Sequence, residues 1–313
     1  MPRPEPVGPV IVTVTGMHRS GTSLAARAVN LLGVSFGRSD ALMRPGADNP
    51  AGYWENRFVK ELDDEVLAAL GGSWDQPPVL APGWELDPAL DELVERAAAT
   101  MERDLLDGAP DPAGAGPSHV GFKEPRLSLL YPFWQRVVAL DASIVVVRHP
   151  REVAAFLAAR NGLAPAESST LWLRYVLTAL AQAPRPIVVR HHDLVADPGA
   201  VVGRIAAHLG LDPPVAEVSR LVDDHLDPGL VHHRADDVDV GDLDDPVLAL
   251  AELVWNDGDP DAATLPAPLV DALVAGWFGP PGNRAQLAAA RAEAVDLRER
   301  LRRRLREVRT TEP

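Results

Sequence analysis

The 313-residue chain contains no cysteine. Disulfides, thiolate nucleophiles and cysteine-ligated metal centres are therefore excluded together. It also has no apolar run of about 18 residues or more, the length that a membrane-spanning helix requires. The opening residues, MPRPEPVGPV, lack the apolar stretch of a secretory signal. A cytoplasmic protein without a membrane partner is expected. Positive charge is scarce: 30 Lys and Arg stand against 45 Asp and Glu, for a formal charge of −15. A surface of that sign repels nucleic acid and anionic lipid, so neither is expected as a partner. An anionic small molecule can still be held where a few cations gather locally.

What is present suits a sizeable folded body. Hydrophobic residues make up 46% of the chain, enough for one large α/β domain with additions. The β-branched run at 10–15 predicts a buried strand, and 22–33 a helix closed by Gly33. The Gly-, Pro- and Asp-rich segment 34–56 reads as loop. Phe58, Leu62, Val66, Leu67 and Leu70 have helical spacing, and a proline-broken connection separates them from a second helical stretch at 88–106. HVGFK, ASIVVV and PIVVR predict three more strands, each followed by a turn and a helical pattern. Strands alternating with helices favour a parallel sheet covered on both faces. The fold expected is α/β, a P-loop NTPase-like parallel sheet flanked by helices, over residues 1–280. Residues 281–313 then form a basic C-terminal helix whose Leu287, Ala290, Ala294, Leu297, Leu301 and Val308 approximate a heptad seam. That seam, interrupted at Arg304, suggests a short coiled coil between copies of the chain, an arm, or simply a helix packed on the body.

The stretch IVTVTGMHRSGTS carries the strongest local signal. Strand, glycine turn and helix form the frame of a phosphate-binding loop, G-x-x-x-x-G-K-[ST]. Gly16 and Gly21 keep the glycine spacing, but Thr22 stands where the lysine would be. Such a turn aims several backbone N–H groups at one point, and the helix start adds partial positive charge. Ser20, Thr22 and Ser23 add hydroxyls, and Arg19 a planar cation. With no lysine, nothing is dedicated to a γ-phosphate, and no strand ends in an obvious magnesium-binding Asp. An ordinary strand–turn–helix joint is the plain alternative. Two further basic turns, FKEPR at 122–126 and VRHPR at 147–151, follow predicted strands. In open parallel sheets ligands sit at the carboxyl ends of strands, where all three turns fall. His225, His232 and His233 lie in an acidic stretch at 223–245 whose spacing matches no defensible metal-ligand pattern, so a solvated loop is expected there.

GMHRSGTSLAARAVNLLG resembles the 5′-phosphosulfate loop of sulfotransferases that use 3′-phosphoadenylyl sulfate (PAPS). NPAGYWENRFVKELDDEVLAALGGSWDQPP, GFKEPRLSLLYPFW, VVVRHPREVAAFLAARNGL, LWLRYVLTAL and RHHDLVADP are similar, in order and spacing, to segments of bacterial members of that family related to the carbohydrate and tyrosylprotein types. The likeness spans about residues 10 to 255. It implies a sulfotransferase that moves a sulfuryl group from PAPS to a hydroxyl of a small-molecule or carbohydrate acceptor, releasing PAP and requiring no metal. It implies that Gly16, His18, Arg19, Ser20, Gly21, Thr22 and Ser23 surround the 5′-phosphosulfate, that Arg148 grips the 3′-phosphate, and that Arg234, beside His232 and His233, closes over the nucleotide. Glu55 is implied as the base, desolvated by Tyr53 and Trp54, with His18 as its rival. Lys123, with Arg19, is implied to meet the charge that grows on the departing phosphate. Glu124 is implied to orient Lys123 or Arg126.

One position departs from the family. Eight residues after Arg148, where a serine usually reaches the 3′-phosphate, this chain has Phe156. Ser168 or Ser169 then substitutes, or the grip is weaker, or the cofactor differs. Two other readings stay open: a sulfotransferase-like binding or scaffolding protein without transfer, and a nucleotide-kinase-like protein, which the absent lysine disfavours. Trp54, Trp74 and Trp84 suggest either an aromatic wall for an acceptor or core packing.

Overall fold

The computed structural model describes residues 9–46, 49, 52–107, 119–212, 247–248, 251, 255, 271–275 and 284–311. The chain divides into two compact units. Met1–Leu70, Pro82–Arg148 and Thr178–Val231 form the first; Gly71–Ala81, His149–Leu177 and His232–Pro313 form the second.

The first unit is built on a four-stranded sheet of order β2-β1-β3-β4, every pair parallel. The strands are β1 Val10–Thr15, β2 His119–Lys123, β3 Ala142–Val147 and β4 Pro186–Arg190. β1 is interior because its β-branched run is apolar or hydroxylic on both faces. The chain leaves β1 for β2 on one side and later returns as β3 on the other. A reversal of that kind opens a crevice at the strand ends.

Strand alternation sorts the two faces. Val12, Val14, Ile144 and Val146 join one core with Ala25, Ala28 and Val29 of α1 (Thr22–Leu31) and Val201, Val202 and Ile205 of α8 (Pro198–Leu209). On the opposite face Thr13 meets α4 (Leu127–Val137): its Oγ1 lies 3.1 Å from the Tyr131 hydroxyl and 2.8 Å from Ser143 Oγ. These buried hydroxyls satisfy one another, which offsets their removal from water. Phe122 stacks at a tilt on Trp134 of α4, with ring centroids 5.1 Å apart.

The remaining helices of this unit include α2 (Arg57–Ala69), α3 (Asp91–Thr100) and α7 (His191–Ala196). Three local details complete the expected pattern. α3 runs on as a π-helical turn at Met101–Leu106. α4 is kinked at Leu130, where Pro132 cannot continue the hydrogen-bond ladder. The segment after β4 is a short helix, α7, rather than a turn.

In the second unit α5 (Pro150–Asn161) starts at a His149 cap, whose Nδ1 accepts from Arg151 N at 3.3 Å. Ala154 of α5 packs with Leu248. On α6 (Pro165–Gln182), Arg174 pairs with Asp271, and the Tyr175 hydroxyl donates to Trp74 O at 2.8 Å. The C-terminal helix spans Arg284–Thr311. Its Ala290, Ala294 and Leu297, three of the predicted seam positions, are buried within the single chain.

Candidate functional site

The carboxyl ends of the four strands bring the predicted site of the first unit together. β1 ends at Thr15, and the loop Gly16–Gly21 turns into α1. Gly16 has φ 147, and a Cβ there would sit 2.1 Å from Val146 O, so only glycine lets the loop pass this close to β3. Gly21 has φ 85, a left-handed conformation, and its added Cβ would lie 2.2 Å from Cδ2 of His191. Arg19 also takes the left-handed region, at φ 68. Three positive φ values within six residues curl the loop so tightly that Ser20 N bonds back to Met17 O at 3.1 Å.

The loop leaves donors over. Ser20 is fully buried, and its Oγ has no hydrogen-bond partner. The start of α1 has no side-chain cap and no acidic residue in its first turn. α2, by contrast, is capped by Asn56 and α8 by Asp197. An uncapped helix start beside an unsatisfied buried hydroxyl is the arrangement an anion would complete. Ser23 is different. Its Oγ donates to Tyr53 O at 3.1 Å and accepts from Asn49 Nδ2 at 3.1 Å. Ser23 therefore ties the loop that leads to Glu55 onto the first turn of α1.

On the β2 side the neighbour is the Lys123–Glu124–Pro125 turn. Val14 pairs with Lys123, Glu124 N bonds to Val14 O at 3.1 Å, and Thr15 Oγ1 donates to Glu124 O at 2.9 Å. Lys123 is 3% exposed, and its ammonium donates to Glu55 Oε1. Glu55 is 8% exposed and immediately precedes Asn56, the cap of α2. Sequence reasoning gave these two groups separate tasks; the fold makes them one buried ion pair. Of the two partners proposed for Glu124, the structure selects Arg126. Glu124 Oε1 accepts from Arg126 N at 3.0 Å and from Arg126 Nη1 at 2.7 Å, while Arg126 Nε reaches Asp64 Oδ1 at 2.6 Å.

On the β3 side Arg148, buried to 7% exposure, follows the last residue of the strand. At the end of β4 stands His191, a residue the sequence reading passed over. Burial, helped by the Arg148 and His192 charges, pushes its imidazole down to about 3. Its neutral ring backs Gly21. Reading across the sheet gives Lys123, the glycine loop, Arg148 and His191, one group from each strand end.

The chain is similar to two sulfotransferase domains of known structure. Against the sulfotransferase domain from the Synechococcus PCC 7002 olefin synthase the identity is 18%, covering 90% of this chain and 99% of that one, with a TM-score of 0.39. Against the sulfotransferase domain from the curacin biosynthetic pathway the identity is 16%, covering 66% and 75%, with a TM-score of 0.34. No protein-family model matches the sequence, and no curated protein matches it.

Other expected residues fall elsewhere. His232, His233, Arg234 and the acidic stretch around them lie outside the described residues. Phe156 is a half-buried residue of α5, in the second unit with Ser168 and Ser169. Ser169 Oγ is engaged by Pro165 O at 2.7 Å, whereas Ser168 Oγ is buried without a partner. Trp54 packs edge-on against Phe36, centroids 5.6 Å apart, with Arg27 over its ring; it belongs to the core edge rather than to a wall. Among the described residues no three His, Asp or Glu side chains converge as a metal set. No described helix is long and apolar enough to cross a membrane.

Proposed function

We propose that the chain is a PAPS-dependent sulfotransferase acting on a hydroxyl of a small-molecule or carbohydrate acceptor. One observation carries this reading: a glycine loop with an unpartnered buried hydroxyl at Ser20 and Thr22 in place of the lysine, lying between Lys123 and Arg148. Such a cradle suits a 5′ group shorter than a triphosphate. The donor supplies the sulfuryl group; the chain supplies position and charge, as in phosphoryl transfer.

In this reading the N–H groups of Gly16–Thr22, with the Ser20 and Thr22 hydroxyls, hold the 5′-phosphosulfate. Arg19 and His18 border it, and Arg148 takes the 3′-phosphate with its planar fork. Glu55 accepts the acceptor's hydroxyl proton as the new S–O bond forms and the bond to the phosphate breaks. Lys123, held by Glu55 at rest, meets the charge left on the departing phosphate oxygen. Removing one preorganised hydrogen-bond donor from a comparable site costs a transition state roughly 2.7–4 kcal/mol. Ser23, tied to Asn49 and Tyr53, acts by holding the Glu55 segment against the loop rather than by touching the ligand. Arg234 keeps its proposed place over the nucleotide.

A second reading, a nucleotide-binding module without transfer, draws on the closed Glu55–Lys123 pair, since each charge is already matched. Labelled PAPS with a broad acceptor panel separates the two. The enzyme reading expects transfer by the parent and its loss in Glu55→Gln and Lys123→Ala, with PAP still bound by the Glu55→Gln chain. A parent that binds PAP and sulfates nothing favours the second.

A further inference from the structure

Behind the Lys123 turn lies a second group of buried charges that the proposed chemistry does not use. Asp63 of α2 and Glu124 are both 0% exposed. Asp63 Oδ1 accepts from Trp134 Nε1 at 2.8 Å, and Glu124 Oε1 accepts from Arg126. The other oxygen of each, Asp63 Oδ2 and Glu124 Oε2, is buried with no hydrogen-bond partner. Two orphaned carboxylate oxygens in one region cost a great deal unless something lies between them.

The pairing of charges says what that something is. Lys60 pairs with Asp64, Asp64 with Arg126, Arg126 with Glu124, and Lys123 with Glu55. Within that set Lys60, Arg126 and Lys123 are matched by Asp64, Glu124 and Glu55. Asp63 is the carboxyl left over, and the donor to its Oδ1, the Trp134 indole, is neutral. An ionised Asp63 would be an unpaired buried charge facing Glu124 and Asp64, with Arg126 already shared. A neutral Asp63 carries an O–H for which Glu124 Oε2 is the missing acceptor.

We propose that Asp63 is held as the neutral acid and shares its proton with Glu124, which makes Asp63 a positioning residue for the Lys123–Glu124–Pro125 turn. The hydrogen bond fills the last acceptor site of Glu124 and fixes the turn that delivers Lys123. Burial and the facing Glu124 both push the Asp63 carboxyl well above its ordinary value, outweighing the Trp134 bond and the Arg126 charge. The bearing on transfer rests on the role proposed above for Lys123; the shared proton does not.

The test compares the parent with Asp63→Asn and Asp63→Leu. Asparagine keeps both bonds, accepting from Trp134 and donating to Glu124; leucine keeps neither. A carboxyl whose value is raised on folding contributes stability that is fully present below its unfolded value and is lost as pH rises toward its folded one. The Asp63→Asn chain lacks that loss, so its melting temperature gains on the parent's steadily as pH rises above the ordinary carboxyl range. The parent's infrared spectrum at neutral pH shows a protonated-carboxyl C=O band that is absent from Asp63→Asn. Asp63→Leu melts well below both and lowers kcat while leaving PAP affinity within about twofold of the parent's. Parallel pH profiles, a missing carboxyl band, or an Asp63→Asn chain no more stable than Asp63→Leu overturns the proposal. If the parent neither binds PAP nor transfers sulfate but the band and the pH gain are present, the function proposed above fails and the shared proton stands.

Discussion

Thr22 occupies the position from which a lysine would reach the end of a triphosphate, and the residues around it fix how tightly the loop is packed. Gly16 lies so close to Val146 O that alanine there forces two backbones apart. Gly16→Ala is expected to lose roughly 1–3 kcal/mol in urea unfolding and to abolish PAP binding. The buried pair gives a second prediction at this scale. Lys123→Ala leaves Glu55 buried without its cation, and chemical denaturation should show a loss of about 3–5 kcal/mol, whereas the double change Glu55→Leu with Lys123→Met restores most of it. His191 gives a third. Its imidazole is held down at about 3, so the unfolded chain binds a proton that the folded one refuses as pH falls from 6.5 toward that value. The parent should lose stability across that window, and His191→Asn should lose measurably less in melts recorded against pH. The loop residues were legible because they are contiguous. Glu55 and Lys123 were each legible, but not their contact across 68 positions, and His191 was not, because only strand register sets it against Gly21.

At the scale of elements, three of the four strands were read from their β-branched runs, HVGFK as a short strand running into a turn, and the helices between them from apolar spacing. The differences have local causes. α7 forms directly from β4, because the residues after Arg190 include no proline or glycine before Pro198 to hold them open. The π-helical turn after α3 brings Asp104 O to Arg38 N at 2.8 Å, a tertiary bond that no periodicity announces. α2 bears most on the proposed function, since it begins one residue past the Glu55–Asn56 pair. Asn56 Oδ1 accepts from Phe58 N at 2.9 Å and from Val59 N at 3.3 Å. Asn56→Ala should cost about 1 kcal/mol by thermal unfolding and lower kcat by loosening Glu55, while Asn56→Asp, which keeps the cap, retains more of both. The C-terminal helix buries Ala290, Ala294 and Leu297 within its own chain, so its first turns serve packing; any contact between copies is proposed only for the seam beyond them.

For the whole molecule, a net charge of −15 contrasts with a candidate site whose cations Lys123, Arg19 and Arg148 stand at three of the strand ends, the His191 ring at the fourth being neutral. Global charge repels an anionic ligand, so the proposed cradle has to draw it in through local geometry. Added salt screens both terms, the long-range repulsion more than the buried contacts. The central claim is that the Gly16–Thr22 loop is a cradle for the 5′ end of a bisphosphorylated adenosine, with Arg148 at the other phosphate. Isothermal titration of the chain with PAP, in the absence of magnesium, tests it most directly. The account predicts saturable binding, weakened at least tenfold by Arg148→Ala and lost in Gly16→Ala. No heat from PAP, or tighter binding of ATP with magnesium, would contradict it.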